Sequence, residues 1–194
     1  MSDSKTTGTY TLYAMRVSLY SGKARSYLIK QGIDYVEVVP GTRRFLEEIV
    51  PKIGRWIIPT LETPDGEIIQ DSTEIIDHLE RKGLARRSAY PTTPRQLAVA
   101  HVLELYGSEG LLRPAMHYRW NFPEDNLEFI RYHFLHSQRD VPEREEKTEA
   151  MMNRMRHAAM FFGVTEESRE VVERLYIEYL DALNAHFAYY PYLL

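Results

Sequence analysis

The chain has 194 residues, of which 44% are hydrophobic and 27% are charged, and its formal net charge is -4. This composition supports one large or two small domains with hydrophobic cores and excludes wholesale disorder. The slightly acidic balance argues against binding to nucleic acid or anionic membranes, since both need clustered basic side chains. The absence of cysteine excludes disulfides, cysteine-based zinc sites, thiolate nucleophiles and Cys-x-x-Cys redox motifs.

The first 83 residues show strand and helix patterns in the order β-α-β-α-β-β-α. Residues 1–8 are polar and predict a disordered lead-in. Gly32 is typical of a helix end, and Pro64-Asp65-Gly66 is a strong turn signal between two strands. The predicted elements are strands at 9–15, 35–39, 60–63 and 67–70, helices at 18–31 and 45–50, and a helix from Asp71 or Ser72 to Gly83.

The rest of the chain has a different character. Residues 84–94 predict a linker that contains Pro91 and Pro94, and residues 95–194 predict an all-helical domain. The predicted helices lie at 96–106, 126–134, 147–162 and 166–187, while 138–149 predicts a solvated loop or an exposed helix start. No stretch is long and apolar enough to predict a membrane span, and no signal peptide is visible, so we expect a cytoplasmic protein.

Three short motifs occur in order on the predicted elements. They are Ser-Leu-Tyr-Ser-Gly-Lys-Ala-Arg from Ser18 to Arg25, Ile-Pro-Thr-Leu from Ile58 to Leu61, and the pair Asp71-Ser72. They resemble motifs of the cytosolic glutathione transferase family: the Ser-Pro-x-Ser-x-Lys-Val-Arg segment of its serine and cysteine classes, its Val-Pro-x-Leu with a cis proline, and its Glu-Ser pair. The resemblance implies a thioredoxin-like N-terminal domain (βαβαββα) over residues 1–83, followed by an all-helical domain.

Some features depart from the family pattern. Leu19 replaces the usual proline, Asp71 is one methylene shorter than the usual glutamate, and the segment 54–59 is longer than the common version. The chain stops at Tyr192-Leu193-Leu194, where the family's helical domain usually continues into further helices. We therefore expect the natural protein to be longer.

The proposed chemistry centres on Ser18. Glutathione chemistry needs a thiolate, and a free cysteine thiol has a pKa of about 8.5, so a hydroxyl donor and a helix N-terminus would both favour ionisation. Ser18 lies at the predicted strand-to-helix junction and suits this donor role; the alternative is that it only caps the helix. Tyr20, Ser21 and Tyr13 are alternative donors, since tyrosine classes of the family use a tyrosine hydroxyl.

The resemblance also assigns the expected glutathione contacts. The backbone of Ile58, before a cis Pro59, would pair with the cysteinyl part of the peptide. Asp71 would accept from the α-amino group, and Ser72 would bind the γ-glutamyl carboxylate at a helix N-terminus. Tyr20 completes the expected glutathione contacts. Each residue also has a structural explanation, because Asp71 and Ser72 suit helix caps and Pro59 suits a trans proline opening an edge strand.

Other candidates are weaker. His133 and His136 have the i, i+3 spacing of a metal pair, but no third ligand is visible and an exposed helix face explains them better, so no metal site is predicted. The four methionines Met151, Met152, Met155 and Met160 suit core packing, although they could line an acceptor pocket.

The resemblance implies an enzyme that conjugates glutathione to a small hydrophobic electrophile, with a role in detoxification. Glutathione would be a co-substrate, no cofactor would be tightly bound, and a homodimer is expected. The alternatives are a binding protein of this fold without conjugating activity and a glutathione-dependent isomerase or dehalogenase.

Overall fold

A computed structural model describes residues 8–194. The predicted disordered lead-in therefore lies outside the described residues, apart from Gly8. The strands are β1 (Tyr10–Tyr13), β2 (Tyr35–Val38), β3 (Thr60–Glu62) and β4 (Ile68–Gln70). The helices are α1 (Leu19–Gln31), α2 (Val50–Ile53), α3 (Ser72–Arg81), α4 (Pro94–Leu105), α5 (Leu112–Trp120), α6 (Pro123–Ser137), α7 (Arg144–Phe161) and α8 (Arg169–Phe187), and π-helical segments at Phe45–Ile49 and Tyr106–Gly110 precede α2 and α5.

The four strands form one mixed sheet in the order β2-β1-β3-β4. β1 is parallel to β2 and antiparallel to β3, and β3 and β4 form an antiparallel hairpin. This topology confirms the predicted thioredoxin-like order of elements and the predicted β3–β4 hairpin.

The two faces of the sheet follow from strand alternation. Leu12 on β1 and Leu61 on β3 are paired and fully buried. Helices α1 and α3 contact each other, and α3 also contacts β3 and β4. The buried stripe of α3, which includes Ile75 and Leu79, matches the helical spacing predicted from the sequence.

The opposite face carries Tyr13, which belongs to a cluster with Phe45 and Ile49. The Tyr13 and Phe45 rings lie 4.9 Å apart, and Phe45 meets Trp56 edge-on at 6.3 Å. The segment Phe45–Ile53 therefore covers this face. The sequence predicts a helix that ends at residue 50, before Pro51. In the structure Pro51 lies in the first turn of α2, where its missing N–H has no cost, and Gly54 ends the helix with φ 73°.

The helical remainder differs from the prediction in detail. Helix α5 was not predicted as a separate element. Helix α8 begins at Arg169 rather than 166. Thr165 and Ser168 accept hydrogen bonds from each other's backbone N–H groups in the turn before it, at 3.3 and 2.9 Å. No helix in the described part of the chain is both long and apolar enough to cross a membrane.

Two compact units emerge from the contacts. One unit is Met1–Ala89, as far as it is described, with Phe129–Glu149; the other is Tyr90–Glu128 with Ala150–Leu194. The first unit contains the whole sheet and every residue predicted to contact glutathione. The predicted domain boundaries, at residues 83 and 95, stay a prediction.

Candidate functional site

The register of the sheet places three chain segments at one edge. Tyr13, the last residue of β1, pairs with Thr60, the first residue of β3, and Thr60 pairs with Gln70, the last residue of β4. The segment leading to Ser18 therefore leaves the sheet where the cis-proline segment enters it and where the chain turns into α3. This edge brings the three predicted motifs together.

Ser18 is the N-cap of the 13-residue helix α1. Its Oγ accepts a hydrogen bond of 3.2 Å from the backbone N–H of Ser21, and the side chain is half-buried. Because a serine hydroxyl both donates and accepts, this cap uses only an acceptor position. Within residues 8–194 the Ser18 hydroxyl hydrogen has no acceptor. The cap and the predicted donor role are thus compatible, and the donor role stays a prediction.

The structure gives hydrogen bonds for the hydroxyl groups of two alternative donors, Tyr13 and Ser21. The hydroxyl of Tyr13, which is 1% exposed, donates to Glu62 Oε2 at 3.0 Å. Burial and this bond raise the pKa of Tyr13 to about 12. Ser21 is fully buried, and its Oγ accepts from the backbone N–H of Met15 at 3.4 Å. Tyr20, the third alternative donor, is half-buried in the first turn of α1, and its role stays a prediction.

The peptide bond between Ile58 and Pro59 is cis, as the resemblance implies. Ile58 packs against the cluster of Tyr13, Phe45 and Ile49, and Pro59 is buried. The hydroxyl of Thr60 donates to the carbonyl of Ile57 at 3.0 Å. The segment is therefore held on both sides of the cis bond.

Asp71 and Ser72 form the start of α3. Asp71 is the N-cap, and its Oδ1 accepts from the backbone N–H of Thr73 at 2.8 Å. Its φ of 77° lies in a region that favours glycine, and such strained residues concentrate at functional sites. Ser72 is the first helical residue and is 2% exposed, so the cap is Asp71 rather than Ser72.

Lys23 was not among the predicted site residues. Its Nζ donates to the hydroxyl of Thr73 at 2.8 Å and so joins the first half of α1 to the first turn of α3. The signal was present in the sequence, because Lys23 occupies the lysine position of the Ser-Leu-Tyr-Ser-Gly-Lys segment. The Lys23–Thr73 bond places the lysine side chain beside the start of α3, where glutathione is expected to present its γ-glutamyl end.

The i, i+3 histidine pair lies on α6. Burial is the main cause of the lowered pKa of His133, and the nearby Arg16 and His136 side chains lower it further. Across residues 8–194, no group of three or more His, Cys, Asp or Glu side chains is arranged to hold a metal ion.

Comparison with known proteins identifies the sheet domain. No curated protein matches the sequence significantly. A glutathione S-transferase from Methylobacterium radiotolerans, in complex with glutathione sulfonate, is 19% identical over 76% of this chain and 66% of that chain, with a TM-score of 0.46. One from Methylobacillus flagellatus with glutathione bound is 19% identical over 75% and 69%, with a TM-score of 0.45.

A possible glutathione S-transferase from Rhodopseudomonas palustris is 24% identical over 75% of this chain and 70% of that chain, with a TM-score of 0.43. The match to the Methylobacterium protein spans just under two thirds of that protein's length. Residues 12–84 match the family model of the glutathione S-transferase N-terminal domain. The matched segment contains every residue that was predicted to contact glutathione, from Ser18 to Ser72.

Proposed function

We propose that this protein binds glutathione at the sheet edge and conjugates its thiolate to a small hydrophobic electrophile. The observation that carries the proposal is the position of Ser18. Its hydroxyl hydrogen has no acceptor within residues 8–194, and it lies at a helix N-terminus beside the cis-proline and Asp71-Ser72 segments.

The proposed roles of the site residues are those that the resemblance implies. Ser18 would donate to the glutathione sulfur, and the N-terminus of α1 would add partial positive charge, so that the thiolate forms at neutral pH. The Ile58 backbone would hold the cysteinyl part of the peptide. Asp71 would bind the α-amino group, Ser72 the γ-glutamyl carboxylate, and Tyr20 would contact the peptide near Ser18.

The reaction would form one S–C bond. The thiolate attacks the electrophilic carbon, the leaving group departs with its electron pair, and the thiol proton passes to solvent. Stabilisation of the sulfur anion would be the main catalytic contribution. Glutathione would be a co-substrate, and no cofactor would be tightly bound. We also propose that the protein is a cytoplasmic homodimer with a role in detoxification.

The test combines binding with chemistry. Calorimetry with glutathione measures affinity, and the absorbance of the thiolate against pH measures the pKa of the bound thiol. We expect binding, a thiol pKa below about 8.5, and conjugation of a chlorodinitrobenzene. Glutathione binding with an unshifted thiol pKa and no turnover would favour the alternative of a binding protein without conjugating activity. The absence of glutathione binding would refute the proposal.

A further inference from the structure

A charged network lies on the sheet face that Phe45–Ile53 covers. Glu62, on β3, is 9% exposed, and its Oε2 accepts from the Tyr13 hydroxyl at 3.0 Å. Arg44, in the residue before the π-helical segment, donates to both carboxylate oxygens of Glu62, through Nε at 3.3 Å and through Nη2. Arg44 also reaches Glu48 Oε2 at 3.0 Å, within its own segment.

The network joins the start of the covering segment to the two central strands of the sheet. Tyr13 and Glu62 belong to the two central strands, β1 and β3, whereas Arg44 immediately precedes the covering segment Phe45–Ile53. A buried carboxylate without a partner is strongly unfavourable, so Glu62 favours the arrangement that brings Arg44 against the sheet. The hydrogen bonds from Arg44 are the largest cause of the lowered pKa of Glu62, which keeps it ionised.

The covering segment leads directly into the predicted glutathione contacts. After α2 the chain passes through Trp56 to Ile58, and both side chains pack against the cluster of Tyr13, Phe45 and Ile49. Tyr13 therefore connects the two features: its ring is part of this apolar cluster, and its hydroxyl donates a hydrogen bond to Glu62. Displacement of Arg44 from Glu62 would loosen the packing on which the position of Ile58 depends.

We propose that Arg44 and Glu62 are positioning residues for glutathione binding, acting through Tyr13 and the Phe45–Ile58 segment. This inference rests on the proposed function for its ligand. Neither residue needs to touch the peptide. Their loss lowers the fraction of molecules in which the Ile58 backbone is in place, and apparent affinity falls in proportion to that fraction.

The chain offers a matched control for Arg44. The neighbouring Arg43 forms an exposed i, i+4 pair with Glu47 at 2.8 Å, with 86% and 60% of the two side chains exposed. Arg43→Met removes the same charge from the same segment without touching the network. Arg44→Met and Glu62→Gln each remove one side of the buried pair, and the double variant tests whether the two act as one unit.

The experiment measures glutathione affinity by calorimetry. It also measures the rate of trypsin cleavage after two exposed residues, Lys52 in α2 and Arg55 just after it. We expect Arg44→Met and Glu62→Gln each to weaken binding about tenfold, as a fall of the competent fraction to about one tenth predicts. Cleavage should accelerate in both. The double variant should be little worse than either, while Arg43→Met matches the wild type.

The two readouts separate this inference from the proposed function. If the wild type binds no glutathione, the proposed function fails and cleavage still tests whether the network holds the segment. Cleavage rates equal to wild type in both network variants would overturn the inference. Additive losses in the double variant, or a loss confined to Arg44→Met, would show that Arg44 acts alone and would also overturn it.

Discussion

The side-chain amide of Gln31 forms hydrogen bonds with both the carbonyl and the N–H of Arg87. Nε2 donates to the Arg87 carbonyl at 2.9 Å, and Oε1 accepts from the Arg87 N–H at 3.3 Å and from the Arg86 N–H at 2.9 Å. Glu80 similarly accepts from the N–H of Ala89 at 2.8 Å. The first part of the predicted linker is therefore bonded to α1 and α3, although the Arg86 and Arg87 side chains are exposed.

We expect Gln31→Leu to lower the free energy of unfolding by about 1–2 kcal/mol, because it removes three bonds made by a side chain that is 2% exposed. Urea unfolding measures the change. The control is Gln96→Leu, which alters an exposed glutamine and should stay within about 0.5 kcal/mol of wild type. Equal losses in the two variants would contradict a specific role for Gln31.

Ser18 has a structural role and a proposed catalytic one, and two variants separate them. Ser18→Ala should lower stability by about 0.5–2 kcal/mol through loss of the cap, whereas Ser18→Gly should cost only a few tenths. Both lack the hydroxyl, so both should reduce turnover by about 10²-fold with glutathione affinity nearly unchanged. If turnover falls only in the less stable Ser18→Ala and not in Ser18→Gly, Ser18 acts only as a helix cap.

Asp71 can be tested in the same way, because its φ of 77° suits glycine. Asp71→Gly removes the carboxylate but accepts the backbone conformation and remains a tolerable cap, so we expect nearly wild-type stability. Asp71→Ala should be clearly less stable, since alanine adopts this conformation poorly. If Asp71 binds the α-amino group, calorimetry will show about tenfold or weaker glutathione binding in both variants. Wild-type affinity in Asp71→Gly would remove this contact from the site.

His78 predicts a pH dependence of stability. It is 6% exposed on α3, and burial is the main cause of its lowered pKa, opposed by the carboxylate of Glu67, whose Oε1 lies 3.9 Å from Nδ1. Because the folded state favours neutral His78, its contribution is complete above the unfolded pKa of about 6.5 and is lost as pH falls through the lower folded pKa.

His78→Gln should therefore show a shallower loss of unfolding free energy between about pH 7 and about pH 5 than the wild type does. Urea unfolding at several pH values measures this slope. The control is His157→Gln on an exposed face of α7, which should retain the wild-type slope. If His78→Gln retains the wild-type slope, a group other than His78 causes the pH dependence of stability.

The local chemistry of the sequence was sufficient for the order of elements in the first domain. Strand alternation, the Pro64-Asp65-Gly66 turn and the glycine after α1 act over a few residues, so their consequences can be predicted without knowing the fold. The three motifs predicted Ser18, Ile58, Pro59, Asp71 and Ser72 as site residues, and the sheet register places their segments at one edge. The predictions were poorer for α5, which was not predicted as a separate element, and for the start of α8, which lies three residues later than predicted.

Only the tertiary structure decided which polar groups have partners. Tyr13 and Ser18 are both hydroxyl residues near the end of β1, but Glu62, which is 49 residues from Tyr13, accepts a hydrogen bond from the Tyr13 hydroxyl, and no such acceptor reaches Ser18 within the described residues. The bonds from Gln31 to residues 86–87 and from Arg44 to Glu62 likewise join positions far apart in the chain. Sequence patterns report burial and local conformation, whereas the partner of a buried hydroxyl or carboxylate depends on which distant strand or loop the fold brings beside it.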